Sequence, residues 1–164
     1  MPSALRIKEL RDLNDNVMMS DGVLSSVVKF PAGFPIRVNH FQGTETQQVY
    51  GSAGYDYYNN TYTVNSNQDV KLLIQYGIFY EMNSNGDSVS FAVSIDGVDV
   101  GYYIDTQSGI DFNIWTTAQT ITSTITKNTS FTLRLYIKNL SGNVVVPRNG
   151  ASPNWTLTIT EIVA

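Results

Sequence analysis

Hydrophobic and polar residues alternate along much of the second half of the chain. In residues 89–95, 131–137 and 155–159, every second side chain is apolar and most of those between are Ser or Thr. A period of two is that of a β-strand with one buried face, so each segment is predicted to be a half-buried strand. Residues 70–80 are almost continuously apolar, which predicts a central strand covered on both faces by a second sheet or a neighbouring subunit.

Turn-forming dipeptides separate the predicted strands. Asn85-Gly86, Asp96-Gly97, Ser141-Gly142 and Asn149-Gly150 supply the residues that tolerate positive φ in tight hairpins. The clearest hairpin is predicted around Asp96-Gly97. Short strands at regular spacing, with no convincing helix among them, predict an all-β fold, specifically an antiparallel jelly-roll β-sandwich.

The first thirty residues are richer in charge and show little strand alternation. We predict an N-terminal arm over residues 1–30 and the sandwich over residues 31–164, because Pro31 and Pro35 exclude a central strand where the two meet. A short helix is a second possibility, although its Asp and Asn residues are poor helix formers. The arm is either a loosely packed terminus or a segment that docks on another protein. Its anchoring side chains would be Leu5, Ile7, Leu10 and Leu13.

Composition excludes several kinds of chemistry. The chain has 164 residues and no cysteine, which excludes disulfides, thiolate metal sites and a cysteine nucleophile. A net charge of -4 with only 10 Lys and Arg residues argues against nucleic acid as a partner. Early charges and the lack of a long apolar run predict no signal peptide and no membrane insertion, hence synthesis in the cytoplasm.

Catalytic and metal-binding motifs are not evident. The sole histidine, His40, lies in a predicted strand, and no serine occupies a G-x-S-x-G turn. One histidine without cysteines leaves only carboxylates as further zinc ligands. We therefore expect no enzyme activity, no metal and no cofactor. Carboxylates paired across a groove, as in a glycoside-cleaving module, remain the alternative.

Tyrosines concentrate between residues 50 and 62, among Gly, Ser and Asn. Tyrosine offers a rigid face and a polar tip at low entropic cost, as in binding loops and carbohydrate-stacking platforms. We predict a loop that contacts a receptor or a neighbouring subunit, the alternative being a loop packed on its own sandwich. A second aromatic group flanks a predicted loop over residues 105–111. The candidate contact residues are Tyr50, Tyr55, Tyr57, Tyr58, Tyr62, Tyr102, Tyr103 and Trp115.

Two motifs near the N-terminus carry a family resemblance. Leu5-Arg6-Ile7 with Leu10 gives L-R-[IV]-x-x-L, and Phe30-Pro31-Ala32-Gly33 with Ile36 and Val38 gives F-P-A-G-x-x-[IL]-x-V. In this order they resemble the start of short virion structural proteins of tailed bacteriophages, especially phages of aquatic bacteria. The resemblance is close over roughly the first forty residues and extends to the remainder only by pattern.

The resemblance implies a jelly roll similar to tail-fibre tips and capsid decorations, in outline like the tumour-necrosis-factor-like trimer. It implies a homotrimer in the virion, joined to other virion proteins through the arm, with the sandwich facing outward. A tail-fibre or adhesin role, with host-surface carbohydrate as a ligand, and a head-decoration or cement role without a receptor both stay open. A carbohydrate-binding or depolymerase module is a further alternative.

Overall fold

The computed structural model describes residues 9–11, 17–20, 23–24, 30–44, 48–50, 55–82, 88–106, 111–141, 143–145 and 153–164. Within these residues every regular element is a strand. The strands are β1 (Glu9–Arg11), β2 (Val17–Ser20), β3 (Val23–Leu24), β4 (Pro35–Gly43), β5 (Gln48–Tyr50), β6 (Tyr55–Thr63), β7 (Val70–Met82), β8 (Ser88–Ile95), β9 (Val98–Thr106), β10 (Asp111–Ile121), β11 (Ser130–Ser141), β12 (Asn143–Val145) and β13 (Trp155–Val163).

Eight long strands build two antiparallel sheets. The first sheet has the order β4-β13-β7-β10, and the short strands β12 and β5 join it at the end of β7. The second sheet has the order β6-β11-β8-β9. The two sheets pack face to face around one core of buried apolar side chains. The molecule is therefore a β-sandwich.

Strand pairing identifies the topology as a jelly roll. Among the eight long strands, the first pairs with the last, β4 with β13, and the second with the seventh, β6 with β11. The third pairs with the sixth, β7 with β10, and the two middle strands, β8 and β9, form a hairpin. Nested pairs that alternate between two sheets are the double Greek key of a jelly roll. The predicted fold class is confirmed.

The core lies between β7 and β13 of the first sheet and β8 and β11 of the second. Alternate side chains of β13 are buried from Trp155 to Val163, as a period of two requires. Phe91 of β8 packs on Tyr80 of β7 with ring centroids 4.9 Å apart, which joins the two sheets. Gly43 must be a glycine, because a Cβ atom there would lie 2.6 Å from the indole of Trp155.

The central position predicted for residues 70–80 is confirmed, since β7 lies between β13 and β10. Only one of its faces is covered within the described chain. Leu72, Ile74 and Ile78 are buried, whereas Lys71 and Gln75 on the other face are exposed. Cover over that second face by a neighbouring subunit stays a prediction.

Local turn predictions are tested at one of the four dipeptides. Asp96 and Gly97 have φ values of 48° and 81° and join β8 to β9, which confirms the predicted hairpin. Asn85-Gly86 and Asn149-Gly150, together with Gly142, lie outside the described residues. Pro35 is the first residue of β4, an edge strand, where a missing N–H is tolerated.

The N-terminal segment contains a small sheet of its own, with the order β1-β2-β3. Leu10 and Val17 lie in strands, so the possible helix through them is wrong: cross-strand backbone pairing replaces the helical pattern. Leu5, Ile7 and Leu13 lie outside the described residues. Phe30 is tied to the sandwich, because its backbone N–H donates to Gln68 Oε1 at 2.6 Å and its carbonyl accepts from Gln68 Nε2. The division into arm and sandwich stays a prediction.

Candidate functional site

Three adjacent rows on the outer face of the first sheet hold no formal charge, and we call these rows the neutral face. Cross-strand register places its residues in rows, because partners directly opposite in an antiparallel ladder project to the same side. The buried inner face of the same strands fixes which side is outward. None of the twelve residues in these rows is Asp, Glu, Lys or Arg, and Lys71 borders them in the next row, opposite Ile162. The neutral face consists of Val38, His40, Gln42, Leu73, Gln75, Gly77, Thr117, Gln119, Ile121, Thr156, Thr158 and Thr160.

Polar groups occupy the middle of the neutral face. The middle row is His40, Thr158, Gln75 and Gln119. His40 Nδ1 lies 2.9 Å from Thr158 Oγ1, and Gln75 Nε2 donates to Gln119 Oε1 at 3.5 Å. These uncharged groups cost less to remove from water than ions do. The face is therefore suited to contact with another molecule.

A shallow trough crosses the same face above Gly77. Its volume is about 600 Å³, and it is open to solvent. Gly77, which has no side chain, is one of its lining residues, and hydroxyl and amide groups line it as well. Such a lining can exchange hydrogen bonds with a hydroxyl-rich ligand. The side chains around it include Gln75, Thr117, Gln119, Thr156 and Thr158.

The outer face of the second sheet has a different character, with a network of charges that satisfy one another. Arg134 Nε donates to Asp56 Oδ1 at 2.5 Å, and Asn59 Nδ2 donates to Asp56 Oδ2 at 2.9 Å. The guanidinium of Arg134 lies 3.9 Å from the ring centre of Tyr136, a cation–π contact. Tyr136 in turn donates its hydroxyl to Asp99 at 2.7 Å. Asp56 is thus held by two donors, which makes it an unsuitable catalytic base.

A buried acidic residue lies at one end of the sandwich. Glu161 projects inward from β13 and is 1% exposed. Its Oε1 accepts a hydrogen bond from Tyr62 Oη at 2.9 Å and lies 3.4 Å from Arg37 Nη1. Asn39 Nδ2 donates to the same tyrosine hydroxyl at 2.7 Å. Burial, followed by the negative charge of Glu161, raises the pKa of Tyr62 well above its ordinary value of 10.0.

Four predicted contact tyrosines lie in β6, so the prediction of a loop is wrong for residues 55–62. The sequence pattern did not indicate this strand because its register against β11 shifts. Leu135 pairs with Tyr58 and Tyr136 with Asp56, so Tyr57 is an extra residue that interrupts the alternation. Tyr57 and Tyr62 are buried in the core. Tyr55 and Tyr58 are half-buried, and their contact with another molecule stays a prediction.

The remaining candidates lie on other strands. Tyr50 is in β5, Tyr102 and Tyr103 are in β9, and Trp115 is in β10, opposite Phe79 in the register. These residues and the tyrosines of β6 are therefore distributed over four strands of the two sheets. Asp105 and Asp111 belong to β9 and β10, so the predicted loop over residues 105–111 is wrong at its two ends, and residues 107–110 lie outside the described residues.

Sequence reasoning missed the neutral face. Its signal was present in part, since the outward positions of β13 are Thr156, Thr158 and Thr160 rather than charged residues. The rows themselves depend on strands far apart in the chain, such as β4 and β13. Among the described residues, no group of three or more His, Cys, Asp or Glu residues is placed to hold a metal ion. No helix in that same part of the chain is long and apolar enough to cross a membrane.

Comparison with known proteins gives partial likenesses to solved structures at low sequence identity. The sequence matches no protein-family model and no curated protein. A structure of the Gx strain of infectious bursal disease virus has 17% identity and a TM-score of 0.44, covering 81% of this chain and 37% of that one. The VP2 subviral particle of that virus has 13% identity and a TM-score of 0.43, covering 96% and 38%.

T=1 particles derived from infectious bursal disease virus have 13% identity and a TM-score of 0.43, covering 100% of this chain and 44% of that one. The chain therefore spans less than half the length of each of these viral proteins. Its assignment as a jelly roll rests on the strand pairing described above.

Proposed function

We propose that this chain is a structural component of a virus particle, acting by assembly and binding and without catalysis. The observation that carries the proposal is the neutral face, three adjacent rows of an outer sheet face that hold no formal charge and are bordered by Lys71, on a chain with a net charge of -4. Centres of protein interfaces are depleted in charged residues, whereas the solvent-facing side of a sheet ordinarily carries them. The resemblance of the first forty or so residues to phage virion proteins points in the same direction.

In its specific form, the proposal is a homotrimeric surface appendage of a bacteriophage, made in the host cytoplasm. Residues 1–30 attach it to other virion proteins, and the sandwich faces outward. Attachment through an arm gains affinity by covering apolar side chains, and three copies multiply each weak contact through effective concentration. Both a tail-fibre or adhesin role and a head-decoration role are compatible with this design.

Removing the apolar anchors should separate attachment from folding. We expect the full chain with Leu5→Ser, Ile7→Ser, Leu10→Ser and Leu13→Ser to keep the oligomeric mass of the wild type but to lose incorporation into particles. The measurements are light scattering of the purified protein and quantitative immunoblotting of purified particles. Val98→Ser, at a 68% exposed valine of the sandwich, is the control and should incorporate normally. Normal incorporation of the fourfold variant would contradict the proposed role of the arm.

A second experiment tests where on the particle the protein is located. A tail-fibre or adhesin should bind host cells, and a head-decoration protein should bind assembled capsids and raise their resistance to heat. Binding of the purified chain to cells and to undecorated capsids distinguishes the two roles. Light scattering that gives the mass of a single chain at every concentration would contradict the homotrimer.

The trough above Gly77 favours a second candidate function, binding of an uncharged carbohydrate. Its hydroxyl and amide lining matches a ligand of the same chemistry. We expect Gln75→Ala with Thr158→Ala to weaken binding of a neutral polysaccharide at least tenfold by calorimetry, with Thr132→Ala on the other sheet as the control. Absence of binding by the wild type rejects this candidate. Conversion of the polysaccharide to shorter chains would indicate a depolymerase.

A further inference from the structure

One row of the neutral face has an apolar residue at each end. Val38, Thr160, Leu73 and Ile121 are cross-strand neighbours in β4, β13, β7 and β10. Val38 is 63% exposed and Ile121 is 57% exposed. Among the described strands, β4 pairs with β13 alone and β10 with β7 alone, so both residues lie on edge strands. Three strand spacings separate them, about 14 Å.

The distribution of polarity across the face indicates how a second copy would pack. A two-fold, face-to-face contact buries the centre of the face most completely, and that centre is ordinarily its most apolar part. Here the two central strands hold Thr158 and Gln75 with the half-buried Leu73, and the most exposed apolar residues lie at the two opposite edges. This arrangement suits contact between different edges of neighbouring copies.

We propose that copies of this chain form a closed ring, in which Ile121 on the β10 edge of one copy packs against Val38 on the β4 edge of the next. The proposal rests on the proposed homo-oligomeric function and names its contact surface. A contact between two different surfaces closes into a ring when the rotation permits it. Three copies is the number that the N-terminal resemblance implies. The neutral face then turns toward the axis of the ring.

Charge supports an identical chain as the partner. Each copy has a net charge of -4, and like charges brought near a common axis repel one another, most strongly where water is excluded. The three rows of the neutral face hold no Asp, Glu, Lys or Arg, so among these rows and the one that borders them Lys71 is the charge that would contribute to this repulsion. The outer face of the second sheet, with Asp56, Arg134 and Asp99, keeps its charges and is the side left in solvent.

Engineered cysteines provide the test, because the natural chain has none. The variants are Val38→Cys, Ile121→Cys and the two together in the full chain. A disulfide requires Cα atoms within about 7 Å, so the two positions within one chain are too far apart to bridge. We expect the oxidised double variant to give covalent dimers and trimers on a non-reducing gel. Each single variant should stay monomeric on the gel, and a mixture of the two should give dimers.

Control variants make each outcome decisive. Val98→Cys with Ile121→Cys, which places one cysteine on the second sheet, should not form the covalent series. Cross-linking by either single variant alone would indicate a two-fold contact and overturn the ring. Absence of cross-linking by the double variant, with a wild-type mass of several chains, would overturn the Val38 to Ile121 contact and leave the proposed function standing. A wild-type mass of one chain would reject the homo-oligomer itself.

A charge exchange gives an independent measurement of the same contact. Ile121→Arg should lower the mass by light scattering toward that of a single chain, because the cation would face Val38 of the next copy. Adding Val38→Glu to the same chain should restore the oligomer by pairing the two charges. An unchanged mass for Ile121→Arg would overturn the proposal.

Discussion

Replacement of Phe91 with alanine is expected to lower the free energy of unfolding by about 3–5 kcal/mol. Phe91 is fully buried in β8 of the second sheet and packs on Tyr80 of the first sheet, with ring centroids 4.9 Å apart. Its ring centroid also lies 6.2 Å from that of Tyr57, which belongs to the edge strand β6. Truncation therefore removes buried area and leaves a cavity at the junction of the two sheets. Urea denaturation, followed by tryptophan fluorescence, measures the change.

A surface residue provides the control for Phe91→Ala. Val98→Ala also truncates an apolar side chain of the second sheet, but Val98 is exposed, so its effect should stay within about 0.5 kcal/mol. Both variants and the wild type need the same protein concentration, because oligomerisation makes stability depend on concentration. A loss for Phe91→Ala no larger than that for Val98→Ala would contradict the placement of Phe91 between the sheets.

The alternation of apolar and polar residues was sufficient to predict much of the sandwich. Residues 89–95, 131–137 and 155–159 form β8, β11 and β13, and their apolar side chains face the core as predicted. The run of apolar residues in 70–80 identified the central strand β7. These predictions succeeded because burial on one face of a strand leaves a period of two in the sequence itself.

The predictions failed where the local pattern is broken or where distant strands decide the outcome. In β6, Tyr57 is an extra residue relative to β11, and this irregularity disrupts the alternation that would have indicated a strand. The neutral face requires the register of β4 against β13, which pairs residues such as His40 and Thr158, 118 positions apart. No local pattern specifies such a pairing, because it depends on the order of strands in the folded sheet.

Glu161 shows what the alternation of residues predicts and what it leaves to the tertiary fold. The alternation that buries Trp155, Leu157 and Ile159 also points residue 161 inward, although a charged residue is rarely buried without a partner. Its partners, Arg37 and Tyr62, come from β4 and β6 and therefore could not be identified from the strand alone. The alternation gives the direction of the side chain, and the tertiary fold supplies the groups that make its burial tolerable.

Loss of the Tyr62 hydroxyl should therefore destabilise the protein strongly for so small a change. We expect Tyr62→Phe to lower the free energy of unfolding by about 1–3 kcal/mol near pH 8, because the carboxylate of Glu161 stays buried without its donor at 2.9 Å. Tyr136→Phe is the matched control, since it removes a similar hydroxyl-to-carboxylate bond from a half-buried site where water can replace it. An equal loss in the two variants would contradict the importance of burial at Glu161.

The effect of Tyr62→Phe should shrink at alkaline pH. The pKa of Tyr62 is raised in the folded protein by burial first and by Glu161 second, whereas in the unfolded chain it stays near 10.0. Above pH 10 the unfolded state releases this proton and the folded state keeps it, so the contribution of Tyr62 to stability falls as pH rises. The decline is about 1.4 kcal/mol for each pH unit. Burial also raises the pKa of Tyr58, which is present in both proteins and therefore cancels in their difference. Urea denaturation at pH 8, 10 and 11 should show the wild type and Tyr62→Phe converging above pH 10, and a constant difference between them would contradict the raised pKa.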